Sequence, residues 1–168
     1  MGSTGAGKST LLRSLAAEIS PEERLVVIED TNELVLPHPH VVHLEAMAAR
    51  ESPVGIADLV ANALRMRPDR IIVGEVRTPR EAAALLDALT TGHAGALTTT
   101  HAGSASRALD RLEVLLARSG EAAPAAIRRH VLAAFDLIVH IARDRGRRFV
   151  DEIVALEEAG LRTLYDAR

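Results

Sequence analysis

The sequence contains no cysteine and no tryptophan, and only 2% of its residues are aromatic. Lacking cysteine excludes a disulfide framework, a thiolate zinc centre and a cysteine nucleophile. Having so few rings removes the stacking platforms on which single-stranded nucleic acid would lie. A net charge of −3 supplies no basic field for a nucleic-acid backbone either. No run approaches the roughly 18 apolar residues of a membrane span, and no signal peptide is visible. The expectation is a cytoplasmic protein without a transmembrane segment. Lysine is almost missing as well: Lys8 stands alone, and every other long basic side chain is arginine.

What is present is a 168-residue chain, 48% hydrophobic and 26% charged. That composition is globular and large enough for one domain with a sizeable core. The single lysine sits in Gly2-Ser3-Thr4-Gly5-Ala6-Gly7-Lys8-Ser9, which fits G-x-x-x-x-G-K-[ST] without mismatch. Such a loop points successive backbone N–H groups at a polyphosphate, its lysine reaches the terminal phosphates, and its serine hydroxyl ligates Mg²⁺. A helix predicted over about 7–19 follows at once, with Leu11, Leu12, Leu15, Ala16 and Ile19 as its apolar face. Its dipole adds positive potential at the loop. A buried strand ordinarily leads into such a loop. Only Met1 precedes Gly2, so the sequence reads as N-terminally truncated.

Beyond the loop the pattern alternates. Apolar runs at 25–28, 41–45, 71–73 and 95–100 are predicted strands, and helical spacing appears at 56–64 and from Ala105 through Leu116. A shorter helix carries Ile127, Val131 and Leu132. Thr78-Pro79-Arg80-Glu81 is a capping box with proline at the first helical position. The helix it opens has Ala82, Leu85, Leu86 and Leu89 on one face, with Gly92 placed to end it. Leu137-Ile138-Val139 and the stretch 149–156 flank the turn Asp144-Arg145-Gly146-Arg147, a predicted hairpin. The fold class is α/β: a mostly parallel sheet with helices on both faces and a C-terminal β-hairpin. The chemistry then belongs at the carboxyl ends of the strands.

Three strand ends carry reactive types. Glu29-Asp30 closes the first, either a carboxylate that orients or deprotonates an attacking water or a solvated acidic turn or helix cap. Gly74-Glu75-Val76-Arg77 closes the next, where glycine occupies the place at which a Walker B strand usually ends in aspartate; the alternative is a plain Glu–Arg surface pair. His93 and His101 bracket the third, positioned for hydrogen bonding to a γ-phosphate. Arg65, Arg67, Arg70 and Arg77 crowd one region, and a guanidinium neutralises a transferring phosphoryl group. His38, His40 and His43 lie in and just after a proline-broken loop without a carboxylate or thiolate set, a poor metal signature.

Together these segments resemble the type II and type IV secretion ATPases. Ile28-Glu29-Asp30-Thr31-Asn32-Glu33-Leu34 is similar to that family's acidic "Asp box". The segment 67–77 is similar to its Walker B region, which reads Gly-Glu, and the segment 91–102 to its "His box". The runs 36–45 and 63–68 look most like the Flp (tight-adherence) pilus branch. The resemblance covers Met1 to about Leu156. It implies a single RecA-like ATPase domain over 1–168, without the family's N-terminal domain. It also implies ATP and Mg²⁺ as cofactors, a homo-oligomer (a hexamer in the family) with ATP at the subunit interface, and an inner-membrane platform protein as partner. Residues carried over are Ser3, Thr4, Gly5, Ala6, Gly7, Lys8, Ser9 and Thr10 for the phosphates, with Ser9 on Mg²⁺. Glu29 polarises the water, and Glu75 supports the Mg²⁺ and water shell. His93 and His101 couple the γ-phosphate to neighbouring elements, and Arg77 is a possible phosphate-neutralising residue. The alternatives are a non-catalytic fragment that keeps the family's assembly surface, and another P-loop class such as a nucleic-acid translocase.

Overall fold

The computed structural model describes residues 1–2, 5–48, 53–92, 95–120 and 123–167. The chain divides into two compact units, Ser9–Thr99 and Met1–Lys8 with Thr100–Arg168. The boundary falls within the first turn of helix α1, Lys8–Ala17.

The first unit is built on four parallel strands in the order β2-β1-β3-β4. These are β1 (Leu25–Glu29), β2 (Val41–Glu45), β3 (Arg70–Val73) and β4 (Leu97–Thr98). All five residues of β1 are buried, as expected of an interior strand covered on both faces. Leu25, Val27 and Ile72 pack with Leu12 and Ala16 of α1. Successive side chains alternate across a strand, so Val26 and Ile28 point to the opposite face. There α2 (Ile56–Ala63) packs against the sheet and against α3 (Pro79–Thr90). A single 3-10 turn, Leu64–Met66, ends α2 before Pro68. The predicted capping box at α3 is present: Glu81 N donates to Thr78 Oγ1 at 3.4 Å, and Thr78 N to Glu81 Oε2 at 3.0 Å.

Two expectations shift in detail. The apolar face of α1 is narrower than its sequence, since Leu15 is 44% exposed while Leu12 and Ala16 are buried. The strand expected over 95–100 shortens to Leu97–Thr98, and its later start follows from Gly95 at φ +77°, outside the extended region.

The second unit carries an antiparallel sheet, β5 (Leu137–Asp144), β6 (Arg147–Glu157) and β7 (Gly160–Asp166), in that order. The predicted hairpin is β5–β6, turning at Arg145-Gly146, both with positive φ. β7 extends it by a strand that the turn-and-run pattern did not announce. Helices α4 (Ala105–Ser119) and α5 (Pro124–Ala134) pack against each other and the sheet. Glu152 of β6 ties α4 down by accepting from Ala105 N at 3.0 Å, a carboxylate at a helix N-terminus. The fold is therefore mixed α/β, a parallel sheet plus an antiparallel hairpin. Among the described residues no helix is long and apolar enough to cross a membrane.

Candidate functional site

The phosphate-loop sequence begins tied to β5. Ile141 N donates to Met1 O at 2.6 Å, so the chain enters the loop alongside that strand. A side chain on Gly2 would place Cβ 2.3 Å from the Ile141 carbonyl oxygen, so only glycine fits this approach. Gly5 and Gly7 then adopt φ +73° and +100°. Alternation of left- and right-handed backbone turns successive N–H groups to one side and makes an anion-binding concavity. Ala6 is buried beneath it. Lys8 folds back over the loop: its Nζ donates to Gly2 O at 3.1 Å and lies 3.3 Å from His101 Nδ1. The structure thus joins the loop lysine to the second histidine of the segment 91–102. The donors here are backbone amides, an ammonium and a helix start, a set that suits a polyphosphate. Ser9 and Thr10, in the first turn of α1, are exposed. Ser3, Thr4 and His93 lie outside the described residues.

Arginine side chains complete this surface, and the sequence reading passed over them. Arg148 Nε donates to Gly5 O at 3.0 Å. Its Cδ lies 3.1 Å from where a Cβ on Gly7 would stand. Arg143 Nη1 lies 3.9 Å from the corresponding point on Gly5. The only signal available was the arginine density of the hairpin turn.

The acidic residues occupy the strand ends of the other unit. Glu29, last in β1, is buried. Its carboxylate accepts from Leu34 N at 3.1 and 3.2 Å and from Glu33 N at 3.4 Å. The turn after β1 therefore grips it with backbone amides. Burial raises its pKa above the usual carboxylate range, and the amide bonds partly oppose this. The unusual Gly74 now has a physical reason. A Cβ there would stand 3.0 Å from Glu29 Cγ and 3.5 Å from Glu29 Oε1. An aspartate would push Glu29 aside, so glycine at the end of β3 makes room for the carboxylate at the end of β1. Gly74 is held by its N donating to Ile28 O at 2.8 Å and by Thr99 Oγ1 donating to its carbonyl at 2.7 Å.

Arg77 bridges two carboxylates, donating to Asp30 Oδ2 at 2.7 Å and Glu75 Oε2 at 2.8 Å. Hydrogen bonding and charge from Glu75 hold the guanidinium firmly protonated. The structure thus brings Asp30, Glu75 and Arg77 into one ion-paired group. The remaining arginines scatter, with Arg70 paired to Glu23 at 2.6 Å. His38 and His40 bond to Ser20 O and Arg24, and among the described residues no cluster of three metal-ligating side chains forms.

A glycine-turned phosphate loop beside a lysine, on a chain with a parallel sheet ending in carboxylates, defines a P-loop protein. Residues 1–163 match the family described as Type II/IV secretion system protein, and the chain belongs to that family. It is 46% identical over 162 residues to a putative conjugal transfer protein of Mycobacterium tuberculosis, covering 94% of this chain and 46% of that protein. It is 39% identical over 163 residues to the type IV secretion system protein VirB11 of Brucella suis, covering 90% and 45%. Among solved structures, the VirB11 ATPase from Brucella suis, in complex with sulphate, superposes with a TM-score of 0.83 at 35% identity over 92% of this chain and 46% of that one. The ATPase DotB of Legionella pneumophila does so at 0.71 with 27% identity, covering 94% and 44%. The chain spans about half the length of the relatives it matches.

Proposed function

We propose that this chain is the ATP-binding and ATP-hydrolysing part of a motor that drives pilus assembly or protein secretion through a type II/IV secretion system. The branch is the Flp pilus type on the strength of the runs 36–45 and 63–68. The observation that carries the reading is Lys8 folded over a loop whose Gly5 and Gly7 are left-handed. The relatives' names support it, one a conjugal transfer protein and another the ATPase of a type IV secretion system.

In this reading the loop residues 3–10 bind the phosphates of ATP, and Lys8 exchanges its bond to Gly2 O for one to phosphate. Ser9 would hold Mg²⁺, with Glu75 supporting its water shell, and the ion would supply charge neutralisation at the phosphates. Glu29 is the base for the attacking water: its raised pKa makes it a better proton acceptor than an exposed carboxylate. Arg77 fixes Glu75 and Asp30 rather than approaching phosphate directly. His101, touching Lys8, and His93 relay the state of the γ-phosphate. The working form is a homo-oligomer, a hexamer in the family pattern. It acts on an inner-membrane platform protein from the cytoplasmic face.

A steady-state assay of Mg²⁺-dependent phosphate release tests the assignment. Lys8→Ala abolishes turnover. Glu29→Gln keeps binding but lowers turnover by about two orders of magnitude, as expected when a general base is lost. Wild-type turnover in Glu29→Gln would remove Glu29 from this role.

A further inference from the structure

We propose that Arg143 and Arg148 are nucleotide-binding residues, a cationic pair that the β5–β6 hairpin holds over the loop to receive the phosphates of a nucleoside di- or triphosphate. The proposal rests on the reading of the loop given above and assigns residues outside every motif used to reach it.

The two arginines are directly opposite one another across the antiparallel pair. Like charges at that position repel and destabilise a sheet. Side chains opposite one another share a face, so neither strand separates the two guanidiniums. No carboxylate among the described residues forms an ion pair with either one, and both are exposed. Asp144, the acid nearest to Arg143 in sequence, follows it on the strand and so points to the opposite face, and Asp151, the acid nearest to Arg148, pairs with His140. Repulsion left uncompensated in the protein itself is relieved by an anion lying between the charges.

The geometry also says where that anion sits. Arg148 Nε bonds Gly5 O at 3.0 Å, and its Cδ packs 3.1 Å from the Gly7 Cβ position. Arg143 Nη1 reaches within 3.9 Å of the Gly5 Cβ position. Both therefore meet the loop at its two left-handed glycines, where the concavity for phosphate forms. The bond to Gly5 O uses only Nε, so the terminal nitrogens of Arg148 are directed elsewhere. A planar guanidinium presents donors in a fork suited to phosphate oxygens. Arg145 and Arg147 in the same turn add positive potential that draws a polyanion in.

The test is calorimetric titration of the chain with Mg²⁺-ADP, Mg²⁺-pyrophosphate and AMP, together with thermal melting without ligand. The double variant Arg143→Ala/Arg148→Ala is expected to weaken ADP and pyrophosphate binding at least tenfold. AMP binding is expected to change less than threefold. The unliganded melting temperature should not fall, because a repelling pair has been removed. Arg148→Gln keeps an amide donor for Gly5 O but no charge. It should lose affinity as Arg148→Ala does, and it serves in its place if the alanine variant does not fold.

Unchanged ADP affinity in the double variant, with binding lost in Lys8→Ala, would overturn the proposal and leave the loop reading intact. Equal losses for AMP and ADP with a lowered melting temperature would make the pair a prop for the loop, also overturning it. Wild type and Lys8→Ala binding alike, or wild type not binding, would overturn the loop reading itself and this proposal with it.

Discussion

The two sheets of this molecule solve burial differently, and the side chains at their ends differ in charge. The interior of the parallel sheet has helices on both faces, so β1 reads as an unbroken apolar run, with all five positions buried. The third antiparallel strand, β7, has five exposed residues out of seven. The parallel sheet ends in carboxylates: Glu29, Asp30 and Glu75. The unit with the antiparallel sheet presents Lys8, Arg143 and Arg148. In the proposed function the acids handle water and metal, while the bases bind phosphate. The contrast teaches that the proposed roles follow charge, carboxylates on the parallel sheet and cations on the antiparallel one.

The contrast breaks most visibly in stability. Ile72→Ala, at a fully buried position of β3, should cost about 2–5 kcal/mol through lost burial and a cavity. Leu164→Ala in β7, where the side chain is 48% exposed, should cost less than about 0.5 kcal/mol. Urea unfolding of both variants checks this. Similar losses would mean that β7 is as tightly held as the parallel core. A smaller effect is expected at α3. Thr78→Ala removes one half of the capping box and should lower stability by about 1 kcal/mol, read from the same unfolding curves.

The smallest effect sharpens the electrostatic side. Burial raises the Glu29 pKa above its ordinary value of 4.5. The folded chain therefore holds this proton more tightly than the unfolded chain. The resulting stability is full below the unfolded value, is lost as pH rises through the raised folded value, and stays level above it. Unfolding wild type and Glu29→Gln across this range should show the wild type losing ground to the variant as pH rises, then a constant difference. A difference that does not vary with pH would mean Glu29 titrates normally.

Much of this was legible in the residues. The interior strands β1 and β3 showed as apolar runs because two-sided burial leaves no room for polar alternation. Thr78-Pro79-Arg80-Glu81 announced α3 because capping is local chemistry. The loop's motif was complete in sequence. β7 escaped because its mixture of Leu161, Arg162, Thr163, Leu164 and Tyr165 has no buried face to impose a pattern. Gly74 looked like a departure because its reason is Glu29, 45 positions earlier in sequence and brought alongside by β1–β3 pairing. Arg143 and Arg148 escaped because hairpin register, not spacing from the loop, brings them to Gly5 and Gly7. A Glu75–Arg77 pair was readable from their closeness in sequence, and the addition of Asp30 to it appears only in three dimensions.

The central claim is that residues 2–8 form a working phosphate loop. Calorimetric titration of the chain with Mg²⁺-ATP, with Lys8→Ala as the control, tests it most directly. The account predicts saturable binding in the wild type and none in the variant, at equal folded content by circular dichroism. Absence of binding in a folded wild type, or equal binding in the two proteins, would contradict it.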